Sequence, residues 1–216
     1  MVGLPRLPPA GERSGSGLRE VGEGLRFLAG DRAVRGALLV DLAATVLAMP
    51  ISLFPLVNAE RFGNDPRTLG LFLTSIAVGG LGASLLSGAF TRLHRPGLVM
   101  LCGASLWGVA LTLFGLVSDP WLGLGCLVLA GAADTVAVVS RATVVQLNTP
   151  DGLMGRVAAA EQIVGHAGPE VGNLRAGLVA GVFSGPVALV SGGLLCVAAV
   201  AAIARTTPAL RPAARL

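Results

Sequence analysis

Six long apolar runs alternate with short polar stretches along this chain. They cover about residues 37–57, 69–90, 98–117, 121–145, 157–183 and 186–204. Each is close to the roughly 20 residues that a helix needs to cross a bilayer. The runs are continuous, whereas strands of a membrane barrel alternate polar and apolar residues. Helices are the other structure that satisfies its own backbone in lipid, so the pattern predicts helical spans. Ahead of them, residues 18–35 space Leu18, Val21, Leu25, Leu28 and Val34 among charges. That spacing fits an amphipathic helix lying on the membrane surface, or an ordinary solvated one. Residues 1–17 are rich in Pro, Gly and Ser and read as a linker. They contain no apolar core of signal-peptide length.

The runs differ in content. The first carries Asp41 near its start, with Pro50 and Pro55 in its far half. Prolines in a span kink it and free carbonyls, which neighbours or water must satisfy. The second carries Gly80, Ser84 and Gly88 in one row, with Gly79, Ala83 and Ser87 beside them. Gly177 and Gly181 form a further GxxxG in the fifth. Small residues at this spacing let helix backbones approach closely, and lipid offers little other drive to association. The fourth run, Trp121–Val145, contains Asp134 and Arg141. Asp134 lies about 16 Å inside its end at 1.5 Å per residue, near the middle of a ~30 Å hydrocarbon core. Arg141 lies about 6 Å inside it. Two turns separate them, so they share a face. A midplane charge is costly unless paired or wetted, so that face should meet protein or water.

Composition agrees with membrane residence. The chain is 53% hydrophobic and 13% charged, with a mean hydropathy of +0.77. All sixteen basic residues are arginine. The basic isoelectric point therefore needs no nucleic acid to explain it. Six spans put both termini on one side. That side takes twelve arginines and the other only Arg61 and Arg67. By the positive-inside rule both termini, including the basic tail 206–216, are cytoplasmic. The three cysteines fall in separate spans without metal or redox spacing. No cofactor or metal site is predicted. Hydrolase motifs and a phosphate-binding loop are absent, which argues against an enzyme or an ATP-driven pump.

The intramembrane charges leave two readings open. Asp134 and Arg141 could form a structural ion pair that fixes helix register, with each other or with another helix. Asp41 and Arg141 lie at similar depth and would meet if the first and fourth spans were neighbours. Alternatively Asp134 lines a substrate path or carries a proton, since transporters bind near the midplane. His166 and Glu170 lie four apart on one face of the fifth span, as a proton relay or merely as hydrogen-bonded side chains. Arg175, five residues beyond Glu170, faces a different partner. Glu161 falls at the cytoplasmic boundary.

Residues 129–181 resemble the C-terminal half of major facilitator superfamily transporters of the enterobactin-exporter-like branch. The resemblance is carried by Gly131, Ala132, Ala133, Asp134, Arg141, Gln146, Leu147, Thr149, Pro150, Asp151, Gly155, Arg156 and Val157. The segments 40–55 and 168–177 add to it. The stretch 88–97 resembles a degenerate copy of the superfamily's loop signature. Gly88, Arg92, Arg95 and Gly97 remain, while Thr91 stands where an acid is usual.

The resemblance implies an all-α integral membrane fold, one half-bundle of six transmembrane helices built as two inverted three-helix repeats. It implies a domain plan of linker and amphipathic helix (1–35), bundle (36–205) and tail. It puts Asp41, Asp134 and Arg141 near a central cavity, as a substrate or proton pathway. It puts His166, Glu170 and Arg175 near the interface between halves. The implied function is proton-coupled efflux of a siderophore or hydrophobic drug-like small molecule at a bacterial inner membrane. A complete carrier of this kind has twelve spans. The expected partners are therefore lipid, a second six-helix half or a second copy, a small-molecule substrate and protons. The alternative is a truncated or accessory membrane subunit that does not transport by itself.

Overall fold

The computed structural model describes residues 17–90 and 95–210. Among them no strand occurs; the helices are α1 (Gly17–Gly30), α2 (Arg32–Leu47), α3 (Phe54–Arg61), α4 (Pro66–Leu85), α5 (Ser87–Phe90), α6 (Pro96–Leu116), α7 (Pro120–Asn148), α8 (Met154–Val182) and α9 (Gly185–Thr206). Short 3-10 turns occupy Ile51–Leu53, Asp151–Leu153 and Pro208–Leu210. The long helices are set up by ordinary start signals. Asp65, Asp119 and Ser184 accept from backbone N–H groups at the starts of α4, α7 and α9, satisfying donors that a helix leaves free. Each cap is followed within two residues by a proline, whose missing N–H costs nothing there.

Three differences from the sequence reading have local causes. The amphipathic helix expected over 18–35 stops at Gly30. Asp31 then caps a new helix, its carboxylate accepting from Ala33 N and Val34 N at 2.9 Å. The first span is broken. Met49 precedes Pro50, and that placement disfavours helix; Pro55 lies in the first turn of α3 and suits its start. Together Arg32–Arg61 still forms one candidate span. Finally, among the described residues five spans, where six were expected, are long and apolar enough to cross a membrane. The exception is α8. It has the length, at 29 residues, but Arg156, Glu161, Glu170 and Arg175 lower its apolarity.

The packing is ordered. α7 lies between α4 and α6, α6 pairs with α9, and α8 leans on α2 and α9. α2 touches α6, α7, α8 and α9 and so runs through the centre. Small residues permit the closest approaches. On α4 the row that makes contact is Gly79 and Ala83, both buried, below Phe72 and Ser75. A side chain on Gly79 would strike the Val128 carbonyl, and one on Gly131 would strike the Ile76 carbonyl. In the other row Gly80 lies against Thr135, while Ser84 and Gly88 are exposed. The GxxxG of Gly177 and Gly181 likewise meets nothing within 4 Å. α8 instead approaches α2 through Gly168 and Gly172, which sit against Thr45.

Both described termini lie at one end of the bundle. There Gly36 abuts Thr207 and Leu210, and Gly97 abuts the Leu210 backbone. α1 joins them, burying Leu28 with Val34, Leu38, Val145, Val157 and Ala160. Its Gly24 fits against the Arg156 carbonyl, and Glu23 pairs with Arg156 at 2.8 Å. The opposite end is held by other means. Glu60 accepts from Gly185 N at 3.2 Å, and Arg61 donates to the Val117 carbonyl at 3.2 Å. Phe54, Phe62, Phe72 and Phe114 cluster there with ring centroids 5.2–6.2 Å apart. Most of these contacts are edge-on, the geometry that ring quadrupoles favour.

Candidate functional site

α2 and α7 present matching faces to a cavity of about 280 Å³. From α2 come Ala37, Val40, Asp41, Ala44 and Thr45; from α7 come Asp134, Ala137, Val138 and Arg141. Both sets follow the three- and four-residue spacing of one helix face. α4 and α6 close one flank with Ile76, Met100 and Trp107, α8 closes another with Gly165 and Pro169, and the break in the first span supplies Met49 and Ile51. The wall is mostly apolar. Its charge is confined to three side chains.

Arg141 bonds Asp41 through Nη1 and a carboxylate oxygen. The pair is largely enclosed, with 17% and 14% of the two side chains exposed. Its Nε is buried without a hydrogen-bond partner. Thr45, one turn along, donates to the Asp41 backbone carbonyl at 2.9 Å. Asp134 stands apart from the pair but within range of both charges. It is exposed and lines the cavity. Pro169, also in the wall and inside α8, has no N–H to offer the Gly165 carbonyl four residues back. Glu161, on α8 one turn before Gly165, is half-buried within range of Arg141 and Asp41.

The other residues singled out in the sequence do not join this site. His166 and Glu170 are exposed on the outer face of α8, along a shallow groove with Gln162 and Ile163. His166 donates from Nδ1 to the Gln162 carbonyl at 2.8 Å. Arg175 turns inward instead. Its guanidinium donates to the Leu47 carbonyl at 2.5 Å, where α2 ends. Positive charge at a helix C-terminus is favourable, so Arg175 caps the break behind Met49. His166, Glu170 and Arg175 are therefore not one group.

The loop motifs are dispersed. Gly97 is a packing glycine against Leu210, while Gly88 and Gly155 have open space around them. Arg95 is exposed, and its carbonyl accepts from Leu98 and Val99 at the start of α6. Pro150 and Asp151 form the exposed turn before α8, and Arg156 meets Glu23. Arg92 lies outside the described residues. Sequence reasoning missed Trp107, Met49 and Ile51. α6 is apolar on every side, so no periodicity pointed at Trp107.

α2 and α7 thus share an ion pair beside a mostly apolar cavity. Residues 13–214 match the family described as transmembrane secretion effector. The chain belongs to this family of the major facilitator superfamily. It is 30% identical over 157 residues to proteins named enterobactin exporter EntS from Escherichia coli O1:K1, Escherichia coli O139:H28 (strain E24377A) and Shigella boydii serotype 18. Those matches cover 73% of this chain and 38% of each relative. The match thus spans well under half the length of these relatives. No solved structure matches it. It is a multi-pass membrane protein of a transporter family and not an enzyme family.

Proposed function

We propose that this chain forms one six-helix half of a secondary active exporter of the bacterial inner membrane, with both termini cytoplasmic. The proposed domain plan is a leading segment to residue 35, the bundle over 36–205 and a cytoplasmic tail. α8 is the sixth span, tolerated in lipid because its charges are turned to protein or to a partner. The packing supports two inverted three-helix repeats. α4 of the first triplet leans on α7, the first helix of the second; α8 of the second leans on α2, the first helix of the first. α6 and α9, the third helices, pair with each other. Exchanging the triplets maps these contacts onto one another, while α8–α9 and α2–α6 lack a counterpart of similar extent.

The observation that carries the function is the cavity, where α2 and α7 bring Asp41, Arg141 and Asp134 into one apolar space. In our reading a siderophore or hydrophobic drug-like molecule occupies it during export, and Asp134 exchanges protons. The outer faces of α4 and α8 support a partner half. Leu81, Leu85, Leu174, Leu178 and Val182 are between 63% and 79% exposed there, beside the polar His166 and Glu170. The partner is an N-terminal six-helix half or a second copy of this bundle. The test is proton-driven efflux from cells carrying the complete transporter. Asp134→Asn is expected to abolish efflux while leaving the protein inserted. Wild-type efflux by that variant would reject the role of Asp134.

A further inference from the structure

A shallow groove runs along the outside of the bundle where α6 and α9 lie side by side. Leu98, Leu101 and Leu106 of α6 form one bank, and Ala201 and Ala204 of α9 form the other. Short alanines opposite long leucines leave the trough. Apart from Cys102 and Ser105 its lining is aliphatic. Both helices are long and apolar enough to cross a membrane. Cys102, Leu106 and Ala201 are exposed, so the groove opens toward lipid. Its α6 bank runs from Leu98 to Val109, about 16 Å of helix at 1.5 Å per residue. That is the depth of one leaflet of a ~30 Å hydrocarbon core.

The groove starts where positive charge collects. α6 sets Gly108 against Gly193 and Gly97 against Leu210, so the start of α6 and the end of α9 lie together. Arg95 stands immediately before α6, three residues from Leu98. Arg205 lies one turn beyond Ala201, on the same face of α9. Both arginines are exposed, and neither pairs with a carboxylate among the described residues. The flanking stretches 91–95 and 205–216 contain five arginines and no acid. We propose that this groove holds one anionic phospholipid, with an acyl chain along Leu98–Val109 and the phosphate at Arg95 and Arg205. The chain finds an apolar trough one leaflet deep, and the headgroup finds the basic end of that trough. Basic pockets between spans bind anionic headgroups in this way. Arginine suits a phosphate because its planar fork donates two parallel hydrogen bonds. The site lies outside the α2–α7 cavity and depends on no choice of cargo. A lipid bound across both helices also ties α6 to α9.

The test titrates phosphatidylglycerol and phosphatidylcholine with identical acyl chains into the delipidated full chain in detergent. Native mass spectrometry counts the bound lipid. One phosphatidylglycerol is expected to bind at least about tenfold more tightly than phosphatidylcholine, since each arginine contributes about fivefold. Arg95→Gln/Arg205→Gln should bring the two lipids within about twofold of each other. Arg95→Lys/Arg205→Lys should keep most of the preference. Ala201→Phe fills the trough from its lipid side and should weaken both lipids alike by about tenfold, the scale of two buried methylenes. Melting temperatures measured without lipid report that the variants are folded, because all three positions are exposed. Equal affinity of the wild-type protein for the two lipids would overturn the proposal. So would a preference above about fivefold in the double glutamine variant, or wild-type affinity in Ala201→Phe. Displacement of phosphatidylglycerol by glycerol 3-phosphate, which has the phosphate and no chains, would also overturn it and leave a site for a free phosphate ester.

Discussion

Arg141 on α7 bonds the carboxylate of Asp41 on α2, one hundred residues earlier in the chain. The contact ties together the two helices that frame the cavity. Removing one partner leaves the other charged in a largely closed space. For fully buried pairs such a change costs about 3–5 kcal/mol. Since 17% and 14% of the side chains remain exposed, we expect Arg141→Gln to cost about 2 kcal/mol. The double variant Asp41→Asn/Arg141→Gln should recover more than half of that. Thermal unfolding in detergent would show it. Additive losses in the double variant would mean that the two side chains are not energetically coupled.

A second prediction concerns the α4–α7 contact. Any side chain on Gly79 meets Val128 and Ala132 backbone atoms, and these cannot swing aside. Gly79→Val should therefore destabilise the bundle by about 3 kcal/mol, the upper range for overpacking. Gly82 lies three residues on and has nothing within 4 Å. Gly82→Ala should be neutral or should stabilise by up to about 1 kcal/mol, because alanine is the better helix former. A Gly79→Val protein as stable as Gly82→Ala would show that the two helices do not pack as closely as described.

Arg175 makes a third case. Its bond to the Leu47 carbonyl is charge-assisted and sits at the broken end of α2. Arg175→Met should cost about 2 kcal/mol. It should also loosen the break, where Met49 and Ile51 form part of the cavity wall. With cysteine placed at Met49, alkylation should speed up in the Arg175→Met background and stay slow in Arg175→Lys. An unchanged rate would confine Arg175 to stability alone.

These residues also show what could be read in advance. The Asp41–Arg141 pair was within reach because both residues lie at similar depth, and depth follows from counting along a helix. The direction of Arg175 was not. Its five-residue offset from Glu170 excludes a shared face without saying which face looks inward. The small residues of α4 form two rows, and choosing Gly79 over Gly80 needs the neighbour, α7, to be known. Asp31 is of a residue type that caps helices, yet it was not singled out in the sequence. The apolar periodicity of 18–35 ran across it and hid the end of α1. The charges on α8 take it below the hydropathy of a span, although its length is ample.

The aromatic cluster offers the last prediction. Phe72 is fully buried and contacts Phe54, Phe62 and Phe114 through ring edges at 5.6, 5.4 and 5.2 Å. It joins α4 to α3 and α6 at the end of the bundle away from the described termini. Truncating a buried phenylalanine typically costs about 3–5 kcal/mol, through lost burial and the cavity left behind. Phe72→Ala should fall in that range. Phe72→Leu fills most of the volume and should cost roughly 1–1.5 kcal/mol. The cluster lies apart from the cavity, as none of its four rings lines it. Binding of a cavity probe to Phe72→Leu should therefore stay within about twofold of wild type, a shift under 0.5 kcal/mol. A large loss of binding in that mild variant would instead mean that the aromatic end and the cavity move together.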